Sequence, residues 1–416
     1  MHALPYSSIL RLLWVLVALS LLVAACGTLA VDVEPAVEGN PTQTTTEVQQ
    51  PGGSAATTAT AAPTATAAAA PADTAEPSPS ATAAVVDDVD PLAGLVYGDG
   101  QSLYMIGPAG QEVAVTNQSN ALLSPDGRWA VYAADDQSGQ SDIWLLDLRD
   151  GQRRNLTNTP DRFETEPRWW AARPESILFF SAAERMMGTG NPTVVGVDGS
   201  GYRVIDEEEG GYFDLDPLGR NLVYGGFDSP GRFWHWGAGT EAFDPAAYGV
   251  PASKLYRPAL SPDGQRLAWQ VGGDFGPDGS FALGVAVFDL SAQAGTLFHV
   301  YQPQGGSTFP SYLSWSADGQ WLAFVTFNEP GAGPRQPALW VARPDGSDEQ
   351  RLGPAHTPVW APTEARLAYT LADQDGVRDG VGLFDPVTGE QRQLLAEGYE
   401  VSQWLAPSGD LFANLP

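Results

Sequence analysis

The chain has 416 residues, with 50 Asp and Glu against 21 Lys and Arg and a net charge of −29. Lys254 is the sole lysine, so the clustered cations that nucleic acid or an anionic lipid surface demands are missing and neither is expected as a docking partner. A single cysteine, Cys26, excludes a disulfide within one chain.

The first element is a leader. Arg11 precedes the apolar run Leu12–Leu22, and Val23-Ala24-Ala25-Cys26 follows. That segment resembles the lipobox of bacterial lipoproteins, with an aliphatic residue three before the cysteine and small residues between. The resemblance implies removal of residues 1–25 and acylation of Cys26, so the membrane becomes a partner through an N-terminal lipid. A plain signal peptide or an uncleaved anchor helix is the alternative. Residues 26–90 are a different material. Thr57–Ala70 is almost wholly Ala, Thr and Pro, and nine acids lie between 27 and 90 with no base. No apolar period is present, so this stretch is expected to be a disordered linker.

From residue 91 onward one short turn recurs. Ser124-Pro125-Asp126-Gly127, Ser261-Pro262-Asp263-Gly264 and Ser316-Ala317-Asp318-Gly319 are the clear copies. Asp216-Pro217-Leu218-Gly219, Ala361-Pro362-Thr363-Glu364 and Ala406-Pro407-Ser408-Gly409 are worn, and Ala171-Ala172-Arg173-Pro174 is the faintest. Pro presets φ, Asp bonds nearby backbone and Gly accepts a positive φ, so the turn chemistry alone accounts for these residues. Aromatic or β-branched runs flank each copy, such as Trp129-Ala130-Val131-Tyr132 and Trp321-Leu322-Ala323-Phe324. A third run follows, such as Ile143-Trp144-Leu145-Leu146, then a second tight turn (Arg149-Asp150-Gly151) and a fourth run, Arg153–Leu156. Short strands repeating about every 45 residues predict an all-β propeller of four-stranded blades.

The order Ser-Pro-Asp-Gly, aromatic strand, polar loop, Ile-Trp-x-x-Asp and Asp-Gly resembles the TolB-type, WD-repeat-like β-propeller repeat. Residues 121–156 match almost throughout, and 258–290 and 313–352 match well. Seven turns predict seven blades, with six or eight as alternatives. The N-terminal strands (Leu95-Val96-Tyr97, Leu103–Ile106, Val113–Val115) lack a turn of their own, and the C-terminal ones (Val401–Trp404, Leu411-Phe412-Ala413) lack followers. The two partial units are expected to pair and close the ring, which removes open sheet edges.

Both kinds of tight turn should fall on one face of the ring. The long links should fall on the other: Ala133–Asp142, Ser181–Pro192, Gly225–Trp236, Gly272–Gly284, Asn328–Pro337 and Ala372–Val381. Long loops on a rigid scaffold are where binding resides. Candidate binding residues are therefore Arg185, Phe227, Phe233, Trp234, His235, Trp236, Phe275 and Arg335. Phe233–Trp236 reads either as an exposed aromatic platform or as the start of a third strand packed between blades, and the second reading fits the large residues blades need between them.

No catalytic residue, cofactor or metal is expected. The chain has no Gly-x-Ser-x-Gly elbow, no His-Glu-x-x-His zinc motif, no phosphate loop and no dinucleotide fingerprint. Asp373–Asp379 and the group Asp135, Asp136 and Asp142 match the ordinary polar loops of the repeat rather than a calcium loop. The expected function is a non-catalytic binding or scaffold module for protein, peptide or glycan, lipid-anchored outside the cytoplasm. The alternative is an extracytoplasmic carbohydrate hydrolase or lyase using paired carboxylates near the propeller axis.

Overall fold

The computed structural model describes residues 89–135, 139–184, 190–207, 210–226, 229–304, 312–330, 336–373 and 378–415. They form seven four-stranded antiparallel sheets, each the blade of a propeller. Blade 1 joins Leu95–Gly98, Leu103–Ile106 and Glu112–Thr116 to Glu400–Trp404. Blade 2 holds Leu122–Leu123, Trp129–Asp135, Ser141–Asp147 and Arg153–Asn155; blade 3 holds Phe163–Trp169, Ser176–Ala182, Asn191–Gly196 and Arg203–Val204. Blade 4 holds Tyr212–Leu215, Asn221–Gly226, Ser229–His235 and Gly239–Phe243; blade 5 holds Lys254–Leu260, Arg266–Gly273, Ala282–Asp289 and Ala294–Tyr301. Blade 6 holds Tyr312–Trp315, Leu322–Phe327, Pro337–Ala342 and Gln350–Gly353; blade 7 holds Ala355–Trp360, Leu367–Ala372, Arg378–Phe384 and Gln391–Leu395.

Six of the seven recurring turns join first to second strands, and the seventh, Ala406–Gly409, leads from the first strand of blade 1 into a short helix. The Ser and Asp in them are structural. Ser124 Oγ donates to Asp126 Oδ1 at 2.6 Å and accepts from the Trp129 N–H at 2.9 Å. Ser261 with Asp263 and Ser316 with Asp318 repeat the arrangement, with the Arg266 and Trp321 amides as donors. The faint turn at Ala171 closes with backbone alone, Arg173 N–H to Trp170 C=O and Ser176 N–H to Arg173 C=O.

The core is divided into layers between blades, because both faces of each radial sheet are covered. Alternation along a second strand sends its side chains to opposite neighbours. Ala130 and Tyr132 pack with Val96 and Met105 of blade 1, whereas Val131 packs with Ile177 and Phe179 of blade 3. Leu222 and Tyr224 face blade 3, and Val223 faces Trp269 of blade 5. Hence these strands read as nearly continuous apolar runs. Each fully buried Leu, Phe or Val contributes about 1.5–3 kcal/mol.

Side-chain bonds to neighbouring backbone stitch the inner rims together. The Trp169, Trp315 and Trp360 indoles donate to the carbonyls of Leu122, Ala259 and Ser314 in the preceding blade. Trp170 donates to Asp216 C=O of the next blade, and Asp214 accepts the Leu260 N–H. Gln403 accepts the Leu123 N–H at 2.7 Å, and Thr370 Oγ1 accepts the Val401 N–H at 3.1 Å.

Ring closure follows the expected pairing. Leu95 lies opposite Trp404, Val96 opposite Gln403 and Gly98 opposite Glu400. The C-terminal segment thus supplies the innermost strand of blade 1. One expectation is corrected: Leu411-Phe412-Ala413 is not a strand but part of a short helix, Gly409–Ala413. The edge it would pair with is already taken by Leu95–Gly98. Ser408 caps the helix by accepting the Leu411 N–H at 3.0 Å. Leu411 is fully buried between blades 1 and 2. Gly127 (φ 70°) makes room for it, since a Cβ there would stand 2.7 Å from Leu411 Cδ1. Asn414 Nδ2 then donates to Asp126 C=O at 2.8 Å.

Among the described residues no helix is long and apolar enough to cross a membrane. Cys26 and the linker up to residue 88 lie outside the described residues.

Candidate functional site

First strands line the axis, and three of them share a sequence feature. Glu166-Pro167, Arg257-Pro258 and Thr357-Pro358 fall in the first strands of blades 3, 5 and 7. Proline has no N–H for the ladder. At each place the pairing with the second strand slips, between Thr165 and Arg168, Leu255 and Pro258, and His356 and Val359. The bulges carry backbone strain: Glu166 has φ 51° and Thr357 φ 49°, a region costly for a β-branched residue.

Arg257 shows where the bulges point. Its guanidinium carbon lies 4.4 Å from the Tyr212 ring centre in blade 4 and 5.5 Å from the Tyr312 ring centre in blade 6. A side chain of blade 5 can bridge both neighbouring first strands in this way only at the inner rim. Burial pulls the Arg257 pKa down, opposed by Glu166. In blade 3, Arg168 Nη2 stands 3.9 Å from Glu166 Oε2. Buried Arg257 Nε, Thr165 Oγ1 and Ser314 Oγ, all on first strands, have no hydrogen-bond partner among the described residues. The result is a set of guanidiniums, phenols and hydroxyls that offers donors to a carboxylate or peptide carbonyl.

Asp214 is the acid of this region. Burial lifts its carboxyl from 3.8 to about 6, against the pull of the Leu260 and Leu215 amides. A raised folded-state pKa means its relative contribution is complete below 3.8 and lost as pH rises through about 6. Asp214→Asn keeps an acceptor for the Leu260 amide. It is expected to melt at or above wild type near about pH 8 and to lack the wild type's relative gain between about pH 6 and 4. Thermal melts across that range check this; a variant far less stable at high pH contradicts it.

A second polar cluster lies between blades 2 and 3. Asp142 and Glu164 both accept from Thr157 Oγ1, at 3.1 and 3.4 Å. Asn155, Thr159 and Ser181 occupy further lone pairs. Glu164 is completely buried, and burial followed by the Asp142 charge raises its pKa. This is the pair that a two-carboxylate reading would select, but its oxygens are engaged by protein donors. No group of three or more His, Cys, Asp or Glu that could hold a metal ion occurs among the described residues.

The residues singled out in the sequence do not converge. Cys26, Arg185, Phe227 and Arg335 lie outside the described residues. Phe275 is half-buried in the link after Gly273 and packs on the layer between blades 4 and 5. Gly225–Trp236 is corrected from a long link to a hairpin: the second strand runs to Gly226 and the third begins at Ser229. Phe233 and Trp234 are therefore buried between blades, the packing alternative of the sequence reading. His235 pairs with Asn221 and Glu241. Trp236 alone of the four is exposed, at 37%. It follows the third strand and so lies on the short-turn face, opposite to expectation. Glu166, Arg168, Tyr212, Arg257 and Tyr312 were missed; the Xaa-Pro pairs inside strands were the one local signal for Glu166, Arg168 and Arg257, and Tyr212 and Tyr312 carried none.

No family model and no curated protein matches this chain. Solved structures that it resembles include TolB from Acinetobacter baumannii, with 19% identity, TM-score 0.41 and coverage of 61% of either chain. The chain therefore spans about 61% of the length of that protein. Hydrazine synthase from Kuenenia stuttgartiensis aligns with 13% identity over 64% of this chain and 75% of that one, TM-score 0.44. The Cps50 (Swd1) β-propeller domain from Myceliophteria thermophila aligns with 13% identity over 71% and 97%, TM-score 0.42. These likenesses concern the fold alone.

Proposed function

We propose that this propeller is a non-catalytic binding or scaffold module, held outside the cytoplasm on a bacterial membrane by a lipid on Cys26, that engages a protein or peptide at the axial mouth. The observation that carries the reading is Arg257, braced between Tyr212 and Tyr312 with Nε unpartnered. A preformed cation among aromatic rings and idle hydroxyls suits an acceptor-rich chain segment. The overall negative charge then disfavours unspecific acidic partners and leaves recognition to this local positive feature.

The test is affinity capture of the full chain from its own membranes, comparing wild type with Arg257→Ala and Arg168→Ala. Arg257→Ala is expected to reduce recovery of the specific partner about tenfold or more, with Arg168→Ala weaker in effect. An unchanged partner set at wild-type recovery overturns the axial reading. Mass spectrometry of the mature N-terminus separately tests the anchor: an unmodified Cys26 or an intact Met1 rules it out.

A further inference from the structure

The short-turn face carries a second feature, independent of the axis. Between blades 3 and 4 lies a groove of about 720 Å3. Its lining includes Glu175, Asp198, Tyr202, Arg203 and Trp236. The Trp236 indole is braced from behind. Arg173 sits 3.8 Å from its ring centre, and Trp170 and Trp234 meet it edge-on at 5.6 and 5.2 Å. Arg173 does not line the groove, so the covered ring face is turned away and the exposed one faces the groove.

Three charged groups around that indole have unused hydrogen-bonding capacity. Glu175 makes no side-chain hydrogen bond or ion pair among the described residues. Asp198 receives Ser200 N–H and Ser200 Oγ on Oδ1 alone, at 2.9 and 2.7 Å, leaving Oδ2 idle. The exposed Arg203 guanidinium rests 5.5 Å from the Trp234 ring and 6.0 Å from the Trp236 ring without a carboxylate partner. The lining holds two carboxylates against one guanidinium, which disfavours an anion, and donors and acceptors set around one indole suit a neutral polyhydroxyl ligand. The ligand must offer an apolar face to the indole and, around its rim, donors to the acids and acceptors to Arg203. A pyranose ring has that construction: axial C–H groups form its face and hydroxyls form its girdle. The volume suits a short oligosaccharide.

We infer that the groove between blades 3 and 4 is a saccharide-binding site, with Trp236 as the stacking platform and Glu175, Asp198 and Arg203 as hydroxyl partners.

The experiment titrates the full chain with maltotriose, cellotriose and chitotriose, read by tryptophan fluorescence and by saturation transfer to the sugar. At least one trisaccharide is expected to bind with a Kd in the range of about 0.1–1 mM. Trp236→Ala should weaken it about tenfold or more, Arg203→Ala about threefold or more, and Arg257→Ala at the axis not at all. Arg203 is exposed, so its variant decides the question if Trp236→Ala fails to fold. Absence of transfer to all three sugars, or binding that Trp236→Ala and Arg203→Ala leave intact, overturns the assignment. Loss of binding in Arg257→Ala would place the sugar at the axis and also overturn it.

Discussion

Deleting residues 399–416 abolishes cooperative unfolding. The deletion takes the innermost strand of blade 1 from beside Leu95–Gly98. It also removes Val401, Trp404 and Leu411, at 2%, 7% and 0% exposure. Burial of three such side chains stabilises by roughly 5 kcal/mol or more, comparable with the whole margin of a folded domain. The damage does not stay in one blade. Thr370 loses its bond to Val401, and the Leu123 backbone loses Gln403, so blades 7 and 2 both acquire a bare flank. The expected outcome is a broad, low-amplitude melt with dye-accessible apolar surface. Trp404→Ala, which keeps the strand, should cost about 3–5 kcal/mol and remain cooperative. A truncated chain that melts sharply near the full-length temperature would contradict both expectations.

The second large effect is at His299, on the outermost strand of blade 5. Its Nε2 lies 2.9 Å from Glu329 Oε1, and its Nδ1 bonds Glu349 Oε1. Both partners are carboxylates, so both ring nitrogens donate and the imidazole is cationic. Trp340 Nε1 and Thr326 Oγ1 also donate to Glu329. Burial pushes the His299 pKa down, but the two carboxylates outweigh it and hold the pKa above 6.5. Glu329 is held below 4.5, its partners outweighing burial. The histidine's contribution is complete below 6.5 and fades as pH rises through the raised value; the glutamate's is complete above 4.5 and fades as pH falls. The clamp is thus strongest between these two values. His299→Ala leaves Glu329 buried without its cation and should cost about 3 kcal/mol within that window. The difference from wild type should shrink on both sides, as denaturant titrations across pH would show. A pH-independent difference would mean that His299 acts through packing against Phe324 and Trp340 alone.

The parts of this molecule that were legible in the sequence are those fixed by local chemistry. Ser124-Pro125-Asp126-Gly127 and its copies make their bonds within five residues, so each announces a strand pair by itself. Ring closure was legible by subtraction, because Leu95–Gly98 lacked a partner before it and Glu400–Trp404 lacked one after. The helix at Gly409–Ala413 was not, since whether Leu411 extends as a strand depends on an edge occupied by residues some three hundred positions away. The axial mouth was illegible for the same reason. Tyr212, Arg257 and Tyr312 lie about fifty residues apart and meet only when the ring forms. Trp236 was assigned to the wrong face because Gly225-Gly226-Phe227-Asp228-Ser229-Pro230-Gly231 reads as loop. Gly231 in fact lies inside the third strand, where a Cβ would come within 2.6 Å of Leu255 Cδ1 and Trp269 Cη2. That glycine serves the close approach of blade 4 to blade 5, not a turn.

Native-state hydrogen exchange, resolved to peptides covering Leu95–Gly98 and Glu400–Trp404, tests the closed ring most directly. Segments near chain ends ordinarily fray and exchange fast. Here both should be among the slowest-exchanging amides, matching the central strands of blade 5 and opening only with global unfolding. Exchange of either segment at the rate of unprotected chain would show that the two ends do not join, and the propeller account would fail.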